Sequence, residues 1–574
     1  MPSLLERLKE RRLVQWTVAY LAGAFVVLQV MDALEGPLGL TQGVQSAVLI
    51  LLVVGLLITL VLAWYHGEKG HQRVSGPEFV LIMALFGVAG LLLMSNRPEQ
   101  EASGGVPLPV SSLDPRRIAV LPFEHRSATD GDEYFTDGIR DDLLSQLAKL
   151  SGLTVISRTS LERYAGTTKS VPEIAREVGA GTVIEGGVQR VGERVRINIQ
   201  VIDGTTDSHL WSETFDDVFS VQTLFEVQGA IVVQVADAVH ATLLPSERSI
   251  IGTVPTTSDE AYELYKRGRF IWLHQVGTDF DRVAALYERA VAIDSEFALA
   301  YAGLAEVYGD MAGLSDTDVP LSKARAAGQR ALSLDPDLSE AHAALGYITH
   351  WFDWDSATAR GHFEQAVRLS PSNSLALSDY GRFLLNFGDI EEAVANLRRA
   401  AELDPGTAFL ATGLGRALYM AGRPREAVAV LEGALRLQPS PYTHLQLGYA
   451  LFSAGRPEEA LREARLALVE AGRDSVWVMA GLAELMALTG DIEGARPILS
   501  LVKEHPTGPE SHPVGIAWVY VAMSEPDSAF AWLERAVQSR NRLLIERKLR
   551  STWADPIRAD PRYDRFLDRI GLGS

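Results

Sequence analysis

Carboxylates are the densest chemistry in the sequence. Asp130, Asp132, Glu133, Asp137, Asp141 and Asp142 fall in one short stretch, and oxygen donors gathered this way suit a hard cation such as calcium. The order of a calcium loop is absent. Counted from Asp130, the fifth place holds Tyr134 and the sixth Phe135, where such a loop needs an oxygen ligand and a glycine. Acids at the start of a helix, complementing its dipole, account for the cluster better. Gly166-Thr-Thr-Lys-Ser170 has the lysine and serine of a phosphate loop but not its leading glycine spacing, and it does not follow a strand into a long helix. It predicts no nucleotide site. His66 and His71 share an exposed loop with Glu68 and predict no metal site. The chain has no cysteine, its twelve histidines are scattered, and no Ser-His-Asp order, His-Glu-x-x-His helix, Gly-x-Ser-x-Gly elbow or kinase signature is present. We therefore assign no catalytic residue, no metal and no cofactor, and read the chain as a non-enzyme.

The elements that carry these residues must be several, because 574 residues exceed one compact core. A formal charge of -20 repels a phosphate backbone, so nucleic acid is not expected as a partner. Three runs, Leu13 to Met31, Val44 to Trp64 and Phe79 to Met94, contain no Asp, Glu, Lys or Arg and predict three transmembrane helices. Basic residues flank them unevenly. Arg7, Lys9, Arg11 and Arg12 precede the first run, none lies in the first loop, Lys69 and Arg73 lie in the second, and Arg97 follows the third. This asymmetry predicts an inside amino terminus, hence a multi-pass protein of the bacterial inner (cytoplasmic) membrane with an extracytoplasmic soluble region and the lipid bilayer as a partner. The anchor spans 1–97, and a Pro-, Gly-, Ser- and Glu-rich linker spans 98–115.

Beyond the linker, Arg117 to Phe123 reads as a buried strand, Tyr134 to Leu150 as an amphipathic helix, Val171 to Gly179 as a short helix, and Thr182 to Val191, Arg194 to Asp203 and Ser208 to Phe215 as strands. Val218 to Leu244 closes the unit as a long helix. An α/β domain over 116–245 follows. Ile118-Ala-Val-Leu-Pro-Phe123, Glu133-Tyr-Phe-Thr-Asp-Gly-Ile139, Val155-Ile-Ser-Arg-Thr-Ser160, Ile184-Glu-Gly-Gly-Val188 and Leu210-Trp-Ser-Glu-Thr-Phe215 resemble the TolB amino-terminal-like domain. The resemblance implies a bacterial protein in which such a domain is followed by tetratricopeptide repeats. The polar stretch Pro245 to Thr257 breaks both periodicities and predicts an array that folds independently.

From Ser258 onward, Ala290, Ala331, Ala366, Ala400, Ala434, Ala467, Val502 and Ala536 recur at 41, 35, 34, 34, 33, 35 and 34 residues, with Pro336, Pro371, Pro405 and Pro439 trailing their anchors. The period resembles that of the tetratricopeptide repeat and predicts an α-helical solenoid of about eight repeats over 258–540, with a capping segment at 541–574. In that family the first helix of each repeat lines a ligand groove. With Gly381, Gly415 and Gly448 as the shared small position, the residues expected to face it are Arg382, Leu385, Arg416, Tyr419, Tyr449 and Phe452. Paired arginines suit a carboxylate and aromatics cover an extended chain, so the expected partner is a protein or peptide with an acidic or carboxy-terminal segment. Trp351-Phe-Asp-Trp-Asp355 reads as turn packing. The expected function is a membrane-anchored extracytoplasmic interaction scaffold of the cell envelope. The alternative is a signalling sensor or regulator whose output domain lies in a separate protein.

Overall fold

The computed structural model describes residues 113–127, 133–274, 279–314, 319–387, 389–545, 552–570 and 572, together with Tyr20, Ala24 and Leu52. The chain divides into two units, Met1–Pro107 and Leu108–Ser574. In the first, the Tyr20 hydroxyl donates to the Leu52 carbonyl at 2.8 Å.

The second unit opens with a mixed sheet. Strands β1 (Arg117–Val120), β2 (Glu124–His125), β3 (Thr154–Val155), β4 (Thr182–Val191), β5 (Arg194–Asp203) and β6 (His209–Val218) run in the order β3-β1-β4-β5-β6, with β2 paired to β4. β1 lies parallel to both β3 and β4, and β5 lies antiparallel to β4 and β6. Side chains alternate along β1 as the pleat requires. Ile118 and Val120 enter the core shared with Leu143 and Leu147 of α1 (Glu133–Ala148) and Val232 and Val235 of α3 (Val221–Ala238). Ala119 and Leu121 enter the opposite core with Ile174 and Ala175 of α2 (Val171–Val178). α2 begins at a capping box in which the Ser170 backbone N–H and hydroxyl donate to Glu173 Oε2 at 2.8 and 2.7 Å. Ser170 is a helix cap, and its neighbour Lys169 pairs with Glu177 at 2.7 Å.

From Asp259 the described residues form helix pairs. The first helices are Asp259–His274, Ala298–Leu314, Ser339–Ile348, Ser374–Phe387, Ala408–Met420, Pro441–Ser453, Val476–Leu488 and Pro513–Ala522. Each is followed by its partner, ending with Pro526–Gln538. Small residues set the approach within a pair. A Cβ on Gly381 would lie 2.6 Å from Cγ of Leu397, and one on Gly415 2.5 Å from Cγ of Leu431, so only glycine lets these helices meet. Successive first helices also pack on one another, from Ala298–Leu314 on Ser339–Ile348 to Val476–Leu488 on Pro513–Ala522. The first helices therefore form one continuous layer of the solenoid.

The sheet domain is not a separate bead. One hydrophobic core runs from Ile118 and Leu147 through Tyr262, Tyr287 and Phe297 to Ile348. The joint also bonds: Glu247 accepts from the Ser151 N–H at 2.8 Å and its hydroxyl at 2.7 Å, anchoring the polar stretch that breaks both periodicities. Further along, Ser160 Oγ donates to Asp404 at 2.5 Å and accepts from the Gly406 N–H at 2.7 Å, and Arg117 donates to the Glu402 carbonyl at 2.6 Å. The independence expected of the array is thus corrected.

The expected fold class is corrected as well. Among the described residues no helix is long and apolar enough to cross a membrane. The longest, Val221–Ala238, has 18 residues, about 27 Å at ~1.5 Å per residue, and carries Glu226 and Asp237 on the side away from the sheet core. The three apolar runs lie outside the described residues apart from Tyr20, Ala24 and Leu52. The described fold is a small sheet domain joined to a mostly helical solenoid. The assignment of three transmembrane helices and the multi-pass inner-membrane localisation are withdrawn with this finding.

Candidate functional site on the concave face

The residues expected to face a groove come from successive first helices, and Leu385, Tyr419 and Tyr449 among them are buried. Arg382, one residue after the small position of Ser374–Phe387, lays its guanidinium over the rings of Trp351 at 5.3 Å and Phe409 at 5.5 Å, with Asp379 3.6 Å away. Leu385 is buried in the core of the same helix. One repeat on, Arg416 is half-buried and has interactions of its own. The hydroxyl of Tyr419 donates to Gln446 at 2.9 Å, and that of Tyr449 donates to Glu484 at 2.7 Å. Phe452 lies one turn beyond Tyr449. The structure thus brings Tyr419, Tyr449 and Phe452 into one cluster, because all three pack around a single ring, Trp553, at centroid distances of 6.4, 5.6 and 5.9 Å. Arg382 belongs to a different patch, with Trp351.

Trp351 belongs to a wide turn, Thr349–Asp353, that ends where Trp354 adopts a left-handed φ of 59°. Asp355 then caps the next helix through the Thr358 N–H at 3.1 Å. His350 is enclosed by Trp351, Phe363, Phe383 and Phe387 and lies 3.2 Å from the Asn386 amide nitrogen. Burial, reinforced by Arg382, pushes its pKa well below the ordinary 6.5, so it is neutral.

Beside Arg382 the same face turns acidic. Burial, then Glu306 and Asp379, push the Asp310 carboxyl up to about 6, against the opposing pull of Arg542. Burial also pushes Asp379 up to about 6, with Arg382 opposing and Glu306 assisting. These carboxylates carried no motif in the sequence, since Glu306 and Asp310 lie on one helix and Asp379 on another.

The acidic cluster near residue 137 has a structural use. Asp130 and Asp132 lie outside the described residues. Asp137 pairs with Arg158 at 2.8 Å. Asp142, held up by burial, accepts from Lys266 at 2.5 Å and from the Tyr262 hydroxyl. Asp141 lies 3.6 Å from Arg269 and 3.8 Å from Lys266; burial opposes its ionisation, and these two cations outweigh it and hold its pKa down. Of the described acids, only Glu133 lies in the first turn of α1, so the expected helix-start role is corrected for Asp141 and Asp142, which sit in mid-helix and clamp α1 to the first repeat helix. Lys266 and Arg269 are the partners that sequence reasoning missed, because nothing local marks two cations in a helix as ligands of a distant one.

Comparisons with known proteins divide the chain in the same way. Residues 114–233 match the family described as HilA/YgeH-like transcriptional regulator, second domain, where the sequence blocks resemble a TolB amino-terminal-like domain. Residues 355–408, 412–476 and 476–500 match tetratricopeptide repeat families. A relative from Rhizobium meliloti (strain 1021), named "Putative adenylate cyclase 3", is 33% identical over 237 residues, 41% of this chain and 40% of its own. The chain thus spans about two fifths of the length of that curated relative. Among solved structures, PilW, a widely conserved type IV pilus biogenesis factor, aligns with a TM-score of 0.32 and 18% identity over 37% of this chain and 94% of its own. PilF of Pseudomonas aeruginosa aligns with a TM-score of 0.29 and 21% identity over 36% and 93%. The carboxy-terminal region of this chain carries tetratricopeptide repeats.

Proposed function

We propose that the chain is a protein–protein interaction scaffold whose concave face receives an extended segment of a partner polypeptide. The observation that carries this reading is the cluster Tyr419, Tyr449 and Phe452, contributed by consecutive first helices and covered by Trp553 of the chain itself, with the Arg382 patch on an earlier first helix. Aromatic rings with hydroxyls held by Gln446 and Glu484 are rigid, and rigid amphipathic side chains bind at small entropic cost. The repeat fold supports a non-enzymatic role. An acidic or carboxy-terminal ligand would need Arg382 and Arg416 disengaged; Arg382 is held by Asp379, Trp351 and Phe409, so the neighbouring carboxylates favour a basic ligand instead. The test is a peptide array probed with the full chain and with Phe452→Asp. Sequence-selective capture that falls at least tenfold in the folded variant supports the concave face; capture unchanged by that substitution removes it.

A second reading, a regulator whose output lies in another protein, is favoured by the match of residues 114–233 to a transcriptional-regulator family. In that reading the clamp Asp142–Lys266 would report groove occupancy to the sheet domain. Peptide binding that leaves amide exchange in 133–148 unchanged would argue against it.

A further inference from the structure

The first helices of the first four pairs carry a concentration of carboxyls where they pack on one another. Glu306 lies 3.2 Å from Arg269 of the preceding first helix, and Asp379 lies 3.6 Å from Arg382. Asp310 feels the charge of both carboxylates, accepts from the Tyr347 hydroxyl and meets the charge of Arg542. The ring of Tyr347 reaches it from the third pair, 3.8 Å from where a Cβ on Gly309 would lie. Two of the nearby cations are already shared: Arg269 also lies 3.6 Å from Asp141, and Arg382 also stacks on Trp351 and Phe409. The site is open to a ligand, because the side chains of Glu306 and Asp379 remain 38% and 30% exposed.

Beside these carboxyls, two buried polar atoms have no hydrogen-bond partner among the described residues. One is the hydroxyl of Tyr287, a residue 1% exposed. Its ring comes from a second helix and slots between two first helices, where a Cβ on Gly268 would lie 2.6 Å from Cε1 and one on Gly303 2.8 Å from Cε2. The two glycines thus clear the way for the hydroxyl to reach the layer beside Arg269 and Glu306, whose charges both act on it. The other atom is Oε2 of Glu340, whose charge acts on Tyr265, the ring stacked on Tyr287 at 5.4 Å. An unfilled donor and an unfilled acceptor are each costly to bury, and a ligand that supplies both partners recovers that cost.

Resting on the reading of the first-helix layer as the binding face, we infer that these groups form the seat for a basic side chain of the bound partner segment. Glu306, Asp310 and Asp379 take its guanidinium or ammonium, Glu340 takes an N–H, and Tyr287 donates to a carbonyl of the segment. A polypeptide fits where a simple cation does not. A metal ion cannot accept the Tyr287 hydroxyl hydrogen, whereas a basic residue within a peptide brings a donor side chain and an acceptor backbone together. The half-buried setting adds to the attraction, because opposite charges interact more strongly in a partly desolvated site than on open surface.

The probe is a fluorescein-labelled synthetic peptide of alternating arginine and alanine, titrated into the full chain at about 150 mM salt, where a screening length of about 8 Å suppresses distant charge. Asp310→Asn/Asp379→Asn is expected to bind it about tenfold more weakly, or worse. Both carboxyls are raised to about 6, so a neutral amide suits their surroundings and the variant should fold. Glu458→Gln/Glu493→Gln removes the same charge from exposed positions on second helices and is expected to bind within about twofold of the unsubstituted chain. Equal losses in the two variants, or no loss in the first, overturn the inference. If the first variant does not fold, Tyr287→Phe decides, because it removes only an oxygen without a partner. Binding about threefold weaker, or worse, supports the seat; unchanged binding overturns it. If apolar or acidic peptides are captured in a Phe452-dependent way while the arginine peptide is not, the inference fails and the scaffold reading survives. If no peptide binds the full chain, both fail.

Discussion

Trp553 meets Tyr449 edge-on, with ring centroids 5.6 Å apart and planes at 86°, although the two residues belong to opposite ends of the second half of the array. The contact exists because the short turn Thr552–Ala554 lays its tryptophan on first helices of the fifth and sixth pairs. Trp553→Ala removes contacts with three rings from a half-buried position. With about 0.5–1.5 kcal/mol per aromatic pair beyond area burial, we expect a loss of about 1–3 kcal/mol in urea unfolding of the full chain. A loss below about 0.5 kcal/mol would show that the ring is not held there.

Gly415 and Gly422 separate two uses of glycine. Gly415→Ala drives a Cβ to 2.5 Å from Leu431 and must spread a helix pair, which costs about 1–3 kcal/mol as overpacking. Gly422 has a φ of 75° with nothing within 4 Å of an added Cβ, so Gly422→Ala costs only the left-handed backbone, about 1–2 kcal/mol. Gly415→Leu should be far worse than Gly415→Ala, whereas Gly422→Leu should match Gly422→Ala. Equal size dependence at the two sites in thermal melts would contradict this assignment.

The clamp between the sheet domain and the array gives a double-mutant cycle. Lys266→Met leaves Asp142 buried without its cation and should cost about 3–5 kcal/mol. Asp142→Asn in the same protein should recover much of that loss, because the uncompensated charge is gone. Additive single effects would mean that the pair is not coupled.

His350 sets a pH dependence of known sign. Its folded pKa is depressed below 6.5, so the unfolded chain takes up the proton first, and stability present above about pH 6.5 is lost as pH falls below it. Asp310 and Asp379, raised to about 6, act oppositely. There the folded chain binds protons first, and stability rises as pH falls from about 6 toward the ordinary carboxylate range. The groups that face them are Glu306, Arg382, Arg542 and Tyr347. His350→Phe should remove the first effect alone, so its melting temperature relative to the unsubstituted chain should rise between pH 7 and 5. A constant difference across that range would place a charged histidine in the core.

Local and periodic features were legible in the sequence. The recurring Ala and Gly positions mark where two helices touch at short range, and strand alternation in 182–203 follows from the pleat. Lys266, Asp310 and Trp553 were not legible as parts of a site. Each acts on residues brought near only by the curvature of the solenoid or by docking of the sheet domain, and no spacing rule encodes that distance. Arg382 lies in the first helix of its repeat, and its ring partners Trp351 and Phe409 come from other helices or turns, which a repeat-by-repeat reading treats separately.

The most direct measurement places the photoreactive residue p-benzoylphenylalanine at position 452 in the full chain and maps its crosslinks by tryptic digestion. Without peptide, the crosslink should fall on the fragment containing Trp553. With an excess of a peptide captured on the array, it should transfer to the peptide. A crosslink to the chain's own fragment that persists undiminished at saturating peptide would contradict a concave face that receives partners.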